Sequence, residues 1–321
     1  MSIAVERIIA GDVRTVARTI RDIDDGIPEV RETLKKLYPY TGKAYVIGIT
    51  GAPGVGKSTM VDQMVFHLRK QDKTVGVLAV DPTSPFNGGA ILGDRVRMQQ
   101  HSLDDGVFIR SMATRGNFGG LTLSTRSAID VLDAMGKDYI IVETVGVGQD
   151  EVDIAKNAHT TIIVIIPGMG DDIQSLKAGI LEVGDIFVIN KAGRDGAGET
   201  FDDVKSMLEM NQKKYGEGKW MPPVLKAEAV LNKGIPEILE EIENHAKYMM
   251  ASIGGLQLRR IKEKVKEELM EMVKNLLFRE VIEQLTRSGE FDRAVESIVE
   301  GEMDPYTAAD TLIFPKISGI R

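Results

Sequence analysis

A chain of 321 residues with 43% hydrophobic and 27% charged content is long enough for one substantial α/β domain with smaller additions, and its formal charge is -8. The acidic balance argues against a general nucleic-acid binder, zero cysteines exclude disulfides, thiolate catalysis and cysteine-ligated metal, and four scattered histidines (His67, His101, His159, His245) make no zinc cluster. No run approaches the roughly 20 apolar residues needed to cross a bilayer and Met1–Arg14 lacks the apolar core of a signal peptide, so neither a membrane nor a nucleic-acid partner is expected, and a cytoplasmic location is.

Residues 1–42 read as an N-terminal helical extension. Val5, Ile8, Ile9, Val13, Val16, Ile20 and Ile23 recur at helical spacing, Asp24-Asp25-Gly26-Ile27-Pro28 marks a break, and Val30–Leu37 supplies another helix before Pro39. From 43 to 250 the pattern changes: apolar runs at Ala44–Ile49, Thr74–Val80, Val107–Ile109, Tyr139–Val142, Thr160–Ile166 and Ile186–Ile189 alternate with helix-like segments. Such alternation predicts an α/β fold with a mostly parallel sheet flanked by helices, whose ligands bind where strands end.

The first of these runs leads into Gly51-Ala52-Pro53-Gly54-Val55-Gly56-Lys57-Ser58, a full G-x-x-x-x-G-K-[ST] loop, and Thr59–Arg69 reads as the helix after it. Glycines let the backbone curl so that amides point inward, and the helix start adds its own unpaired N–H groups. A polyphosphate is the natural guest of Gly51, Ala52, Gly54, Val55, Gly56, Lys57, Ser58 and Thr59. Lys57 can reach the outer phosphates, and the Ser58 hydroxyl is placed to help hold Mg²⁺ between them.

Next in the chain, Val75–Val80 ends in Asp81-Pro82-Thr83-Ser84-Pro85. A carboxylate there can bind Mg²⁺ through a water or orient the attacking water, though Asp81 also suits a cap on the turn that Pro82 begins. Asp94 in Gly93-Asp94-Arg95 is a further candidate for the metal or water network, with a helix cap as the alternative. Tyr139–Val142 runs into Glu143-Thr144-Val145-Gly146, which resembles the D-x-x-G element of GTPases with Glu143 in the acid position. Glu143 would approach the Mg²⁺ shell and the Gly146 N–H would sense the γ-phosphate. Val147 stands where many GTPases place a water-orienting glutamine, so slow hydrolysis is expected unless Asp81, Asp94, Gln149 or a partner supplies that geometry.

Thr160–Ile166 leads into Pro167-Gly168-Met169-Gly170-Asp171-Asp172-Ile173-Gln174, read as a mobile loop near the nucleotide or a partner surface, or as an ordinary strand-to-helix connection. Ile186–Ile189 feeds Asn190-Lys191-Ala192-Gly193, which resembles the guanine-reading N-K-x-D motif but carries no fourth-position carboxylate. Losing a charge-assisted pair costs about 1.5–3 kcal/mol, enough to weaken guanine preference tenfold or more. A rearranged loop would be needed to bring Asp195 to the base. Further on, Lys226-Ala227-Glu228 follows a strand, and a backbone N–H of Lys226 or Ala227 is expected against the base oxygen.

Residues 251–321 read as a C-terminal helical arm: Leu258, Ile261, Val265, Leu269, Met272 and Leu276 recur along a charged helix that extends towards Leu285. That apolar stripe needs a cover, either the nucleotide domain or, as expected here, a second subunit. Helix-like pieces follow at Phe291–Val299 and Thr307–Leu312.

In this order, the phosphate loop, Asp81-Pro82-Thr83-Ser84-Pro85, Gly93-Asp94-Arg95, Glu143-Thr144-Val145-Gly146-Val147-Gly148-Gln149 and Asn190-Lys191 resemble the MeaB/ArgK family over nearly the whole chain. These are P-loop GTPases that act as chaperones for adenosylcobalamin-dependent methylmalonyl-CoA mutase. The resemblance implies GTP or GDP bound through Lys57, Ser58 on Mg²⁺, and Asp81, Asp94 and Glu143 in the metal and catalytic network. It also implies a switch loop at Pro167–Lys177, a homodimerising C-terminal arm, and GTP-gated delivery of intact cofactor to the mutase, with protection or reactivation of that enzyme. Gly193 departs from the family's N-K-A-D pattern. No D-x-H-x-x-G cobalamin signature occurs, so mutase activity or direct tight cobalamin binding is not expected. Two alternatives stand beside this one: a kinase or ATPase linked to basic amino-acid transport, and a nucleotide-controlled scaffold whose hydrolysis is incidental.

Overall fold

The computed structural model describes residues 2–81, 99–101, 103–113, 120–144, 157–168, 183–210, 219–251 and 256–317. Seven strands occur among them: β1 (Tyr45–Thr50), β2 (Val75–Asp81), β3 (Val107–Ala113), β4 (Tyr139–Thr144), β5 (Thr160–Ile165), β6 (Ile186–Asn190) and β7 (Val224–Ala227). They form one sheet in the order β3-β2-β4-β1-β5-β6-β7, with every pairing parallel. Parallel strands are covered on both faces, so they read as continuous apolar runs: all six residues of β5 are buried. Strand order reverses about β1, which lies between β4 and β5, and the crevice beyond the strand ends at such a point is where open α/β sheets take ligands.

Ten helices cover the sheet or extend the chain among the described residues, beginning with α1 (Ile3–Ile9), α2 (Val13–Asp24), α3 (Val30–Leu37), α4 (Lys57–Lys70) and α5 (Gly120–Ala134). Two more belong to the same unit, α6 (Ala197–Met210) and α7 (Ile235–Ala251). On one face, Met60, Met64, Val65 and Leu68 of α4 and Ile238 and Ile242 of α7 pack on Ile47, Ile49, Ile162 and Val188. The other face is covered partly by the N-terminal helices: Val5, Ile8, Val16, Ile20 and Leu37 share a core with Val46, Leu78, Val142 and Leu132. Residues 1–42 are thus integral to the fold, since burying each such aliphatic side chain contributes about 1.5–3 kcal/mol. Farther along this face, Val204 and Leu208 of α6 meet Ile163, Ile165, Phe187 and Ile189.

A buried carboxylate ties the N-terminal segment to the sheet. Asp133, near the end of α5, accepts backbone N–H bonds from Gly42 at 2.6 Å, Lys43 at 3.2 Å and Ala44 at 3.0 Å, so the chain enters β1 in a set position. β1 then delivers its last residue, Thr50, directly to the phosphate loop.

By internal contacts the chain divides into two compact units, Met1–Lys264 and Val265–Arg321. The division falls within α8 (Leu256–Ser288); α9 (Glu290–Val299) and α10 (Pro305–Ile317) complete the second unit. Asp304 caps α10, accepting from the Thr307 N–H at 3.0 Å and the Thr307 hydroxyl at 2.6 Å. Leu285 and Ala308 are buried in this unit, whereas Leu269 and Val299 are 60% and 80% exposed.

Candidate nucleotide site

The phosphate loop runs from the end of β1 to the first turn of α4, which begins at Lys57. Two glycines are required here by position rather than by flexibility in general. Gly51 holds φ +142° with its missing Cβ directed into the Val164 carbonyl oxygen of β5, and Gly56 holds φ +97° with a Cβ position 2.5 Å from Asn190 Nδ2. The loop is therefore pressed against β5 on one side and against the end of β6 on the other. Lys57 is 5% exposed, and its ammonium donates to the Gly51 and Ala52 carbonyls at 2.6 and 3.0 Å. Those carbonyls keep the amine inside the curl, where an anionic phosphate oxygen would be the stronger acceptor.

Ser58 and Glu143 meet although 85 residues separate them: the serine hydroxyl donates to Glu143 Oε1 at 2.6 Å, and both side chains are buried. Parallel pairing creates the contact, because Glu143 on β4 is in register with Ile49 of β1, just before the loop. A hydroxyl and a carboxylate side by side are hard oxygen donors, the set that suits Mg²⁺, which keeps waters and phosphate oxygens as its other ligands. The residues present therefore fit the ion, and Ser58 and Glu143 would hold it. Among the described residues no group of three or more His, Cys, Asp or Glu forms a metal cage.

The base end is assembled from the loops after β6 and β7. Asn190 is 2% exposed and bridges two loops, donating from Nδ2 to the Val55 carbonyl at 2.8 Å and accepting at Oδ1 from the Ala229 N–H at 3.1 Å. Lys191, in the left-handed region at φ +56°, donates from Nζ to the Gly54 carbonyl at 2.7 Å. A non-glycine residue held there is uncommon, and the cost is carried by contacts that fix it. Asn190 and Lys191 thus clasp the phosphate loop from the base side.

Gly51, Ala52, Gly54, Val55, Gly56, Lys57, Ser58 and Thr59 form the loop and helix start, with Glu143, Asn190 and Lys191 brought against them. The backbone of Asp81 ends β2 beside Ala113 of β3. Asp94 and Gly146 lie outside the described residues, as do Val147, Gln149 and positions 169–177 of the expected switch loop. Asp195 is exposed in the turn before α6. Lys226 lies in β7 with its ammonium 4.6 Å from the centre of the Phe201 ring, and the Ala227 carbonyl accepts from the Ala192 N–H at 3.1 Å.

A family model described as methylmalonyl-CoA mutase-associated GTPase MeaB matches residues 16–286. The chain belongs to the MeaB family. A Pyrococcus abyssi protein named as a GTPase is 48% identical over 315 residues, 98% of this chain and 96% of that one. A mouse protein, methylmalonic aciduria type A homolog, mitochondrial, is 32% identical over 83% of this chain and 64% of its own. Among solved structures, that of a LAO/AO transport system kinase has a TM-score of 0.70 at 26% identity, covering 96% of this chain and 95% of the other. As a MeaB-family P-loop GTPase, the chain converts GTP and water to GDP and phosphate.

Within this MeaB-family site, two positions carry more than their sequence context indicates. Ala229 supplies the main-chain N–H that joins the β7 loop to Asn190, and Glu228 places its carboxylate against Gly193. The vacant fourth position of Asn190-Lys191-Ala192-Gly193 was the available signal, since a missing acid invites a search for one on the adjacent strand end.

Proposed function

We propose that this GTPase is a metallochaperone-like switch that gates adenosylcobalamin delivery to methylmalonyl-CoA mutase or a related acyl-CoA mutase, and protects or reactivates that enzyme. The buried Ser58–Glu143 hydrogen bond carries the switch half of this reading. It couples the phosphate loop to the end of β4, so any ligand that draws the Ser58 hydroxyl towards a phosphate-bound cation changes what holds Glu143, and with it the chain that follows. The client half is supported by the family description, which names mutase association.

In the proposed cycle, loop amides and Lys57 orient the phosphates, Asn190 and Lys191 hold the base loop against the phosphate loop, and Ser58 and Glu143 bind the cation. Mg²⁺ would supply neutralisation of charge on the transferring phosphate oxygens. Asp81 and Asp94 are assigned to the same metal and water network, and Gly146 to γ-phosphate sensing. With Val147 unable to orient water, hydrolysis is slow until the mutase completes the geometry. We assign residues 43–250 to the nucleotide domain, 1–42 to its helical extension and 251–321 to a dimerisation arm in which Val265, Leu269 and Met272, 46%, 60% and 37% exposed, face a second copy.

Co-purification with an adenosylcobalamin-dependent acyl-CoA mutase, followed by GTP turnover with and without it, tests this reading. A complex and a faster rate are expected. The similar transport-system kinase structure supports a second reading, kinase chemistry; phosphate transfer from nucleotide to a periplasmic binding protein, with no mutase response, would favour it.

A further inference from the structure

We infer that Glu228 supplies the guanine-reading carboxylate that the Asn190-Lys191-Ala192-Gly193 segment lacks. The assignment rests on the GTPase reading and names the residue that gives its site base selectivity. Guanine presents two neighbouring donors, N1–H and the 2-amino group, and one carboxylate can accept both; adenine has no N1–H to offer. In an N-K-x-D loop the acid hangs from the fourth position, here Gly193.

The structure fills that neighbourhood from another strand. A Cβ built on Gly193 would lie 2.8 Å from Glu228 Oε1, 3.2 Å from its carboxyl carbon and 3.6 Å from Oε2. An aspartate's own oxygens lie about 2.4 Å from its Cβ, so the Glu228 carboxylate stands in the space an acid at 193 would occupy. Glycine at 193 and glutamate at 228 are therefore one feature: an aspartate side chain at 193 would have to displace Glu228.

Placement of Glu228 is set by main-chain bonds on both sides. Ala192 N–H donates to the Ala227 carbonyl at 3.1 Å, Ala229 N–H donates to Asn190 Oδ1 at 3.1 Å, and Glu228 itself exchanges backbone hydrogen bonds with Lys233 at 3.0 and 3.2 Å. Gly234 permits this return, because its Cβ position would strike the Lys226 carbonyl oxygen. The backbone is thus held while the half-buried carboxylate takes no hydrogen bond or ion pair among the described residues. A partly desolvated acid with no partner among the described residues, at the end of a strand beside the base loop, is suited to a ligand's donors. Asp195, by contrast, is exposed two positions beyond Gly193.

Titrations of the full chain with GDP, IDP, XDP and ADP in the presence of Mg²⁺ test the assignment. Wild type should prefer GDP to ADP, and to IDP, which lacks the 2-amino group. Glu228→Gln should weaken GDP at least tenfold, leave ADP unchanged and gain affinity for XDP, whose C2 carbonyl accepts the new amide N–H. Gly193→Asp with Glu228→Ala should recover GDP preference, while Asp195→Asn should leave it intact. A wild-type GDP/ADP ratio retained by Glu228→Gln, or by Glu228→Ala alone should the amide variant melt early, overturns the role of Glu228. Equal wild-type affinities for GDP and ADP overturn the guanine reading itself, a different result.

Discussion

At the phosphate end of the site, the consecutive residues Gly51–Ser58 carry the curled backbone, the amine and the hydroxyl, and among the described residues Glu143 joins them from β4. At the base end, Asn190 and Lys191 come from one strand end, and Glu228 and Ala229 from another, and they converge because β6 pairs with β7. The first arrangement depends on local geometry and tolerates little change within the loop. The second depends on strand adjacency, which lets a group move from one loop to its neighbour without loss of its place in space. Asn190 joins the two ends, with one hydrogen bond to each.

The largest effect should come from the phosphate end. Lys57→Ala removes the only ammonium that the described loop carries, and hydrolysis should fall by on the order of a hundredfold or more. Because phosphates are common to all nucleotides, GDP and ADP titrations should weaken together; a loss confined to GDP would break the division between the two ends. Asn190→Ala should have an intermediate effect on both stability and binding. It leaves the buried Val55 carbonyl and Ala229 N–H without their partner, each at about 1–3 kcal/mol, so a lower thermal midpoint should accompany weaker GDP binding. Unchanged melting would show that the two ends are not joined through this side chain.

The smallest expected effect lies away from both ends and serves as a control. Near the start of β3, Asp104 accepts from the Arg69 guanidinium at 2.9 Å, and that hydrogen bond holds its carboxyl below the ordinary carboxylate value. A depressed folded-state value stabilises the protein above the unfolded value, about 3.9, and the contribution is lost as pH falls through the folded value. Urea denaturation of Asp104→Asn should show a loss of about 1 kcal/mol near neutral pH that disappears below that window, with GDP affinity unaltered. A change in nucleotide binding would mean that the strand starts and strand ends are coupled.

Much of this architecture is legible in the chain because its signals are local. The phosphate loop declares itself in eight residues, and the buried runs of β1, β4, β5 and β6 stand out because parallel strands lack polar alternation. Glu143 is marked by its place at the end of an apolar run, but its bond to Ser58 follows from β1 lying beside β4, an adjacency that order along the chain does not specify. The same limit applies at the base: Gly193 announces a missing acid, while its replacement at 228 becomes evident only when β6 and β7 are seen side by side. The N-terminal helices read as an extension because helical spacing reports an apolar face and not what that face covers; here it covers Val46, Leu78 and Val142.

GTP turnover measured with and without a purified adenosylcobalamin-dependent acyl-CoA mutase is the most direct test of the switch. The account predicts a stable complex and a rate that rises when the mutase is added, with the rise abolished in Lys57→Ala. Absence of a complex together with an unchanged rate would contradict it.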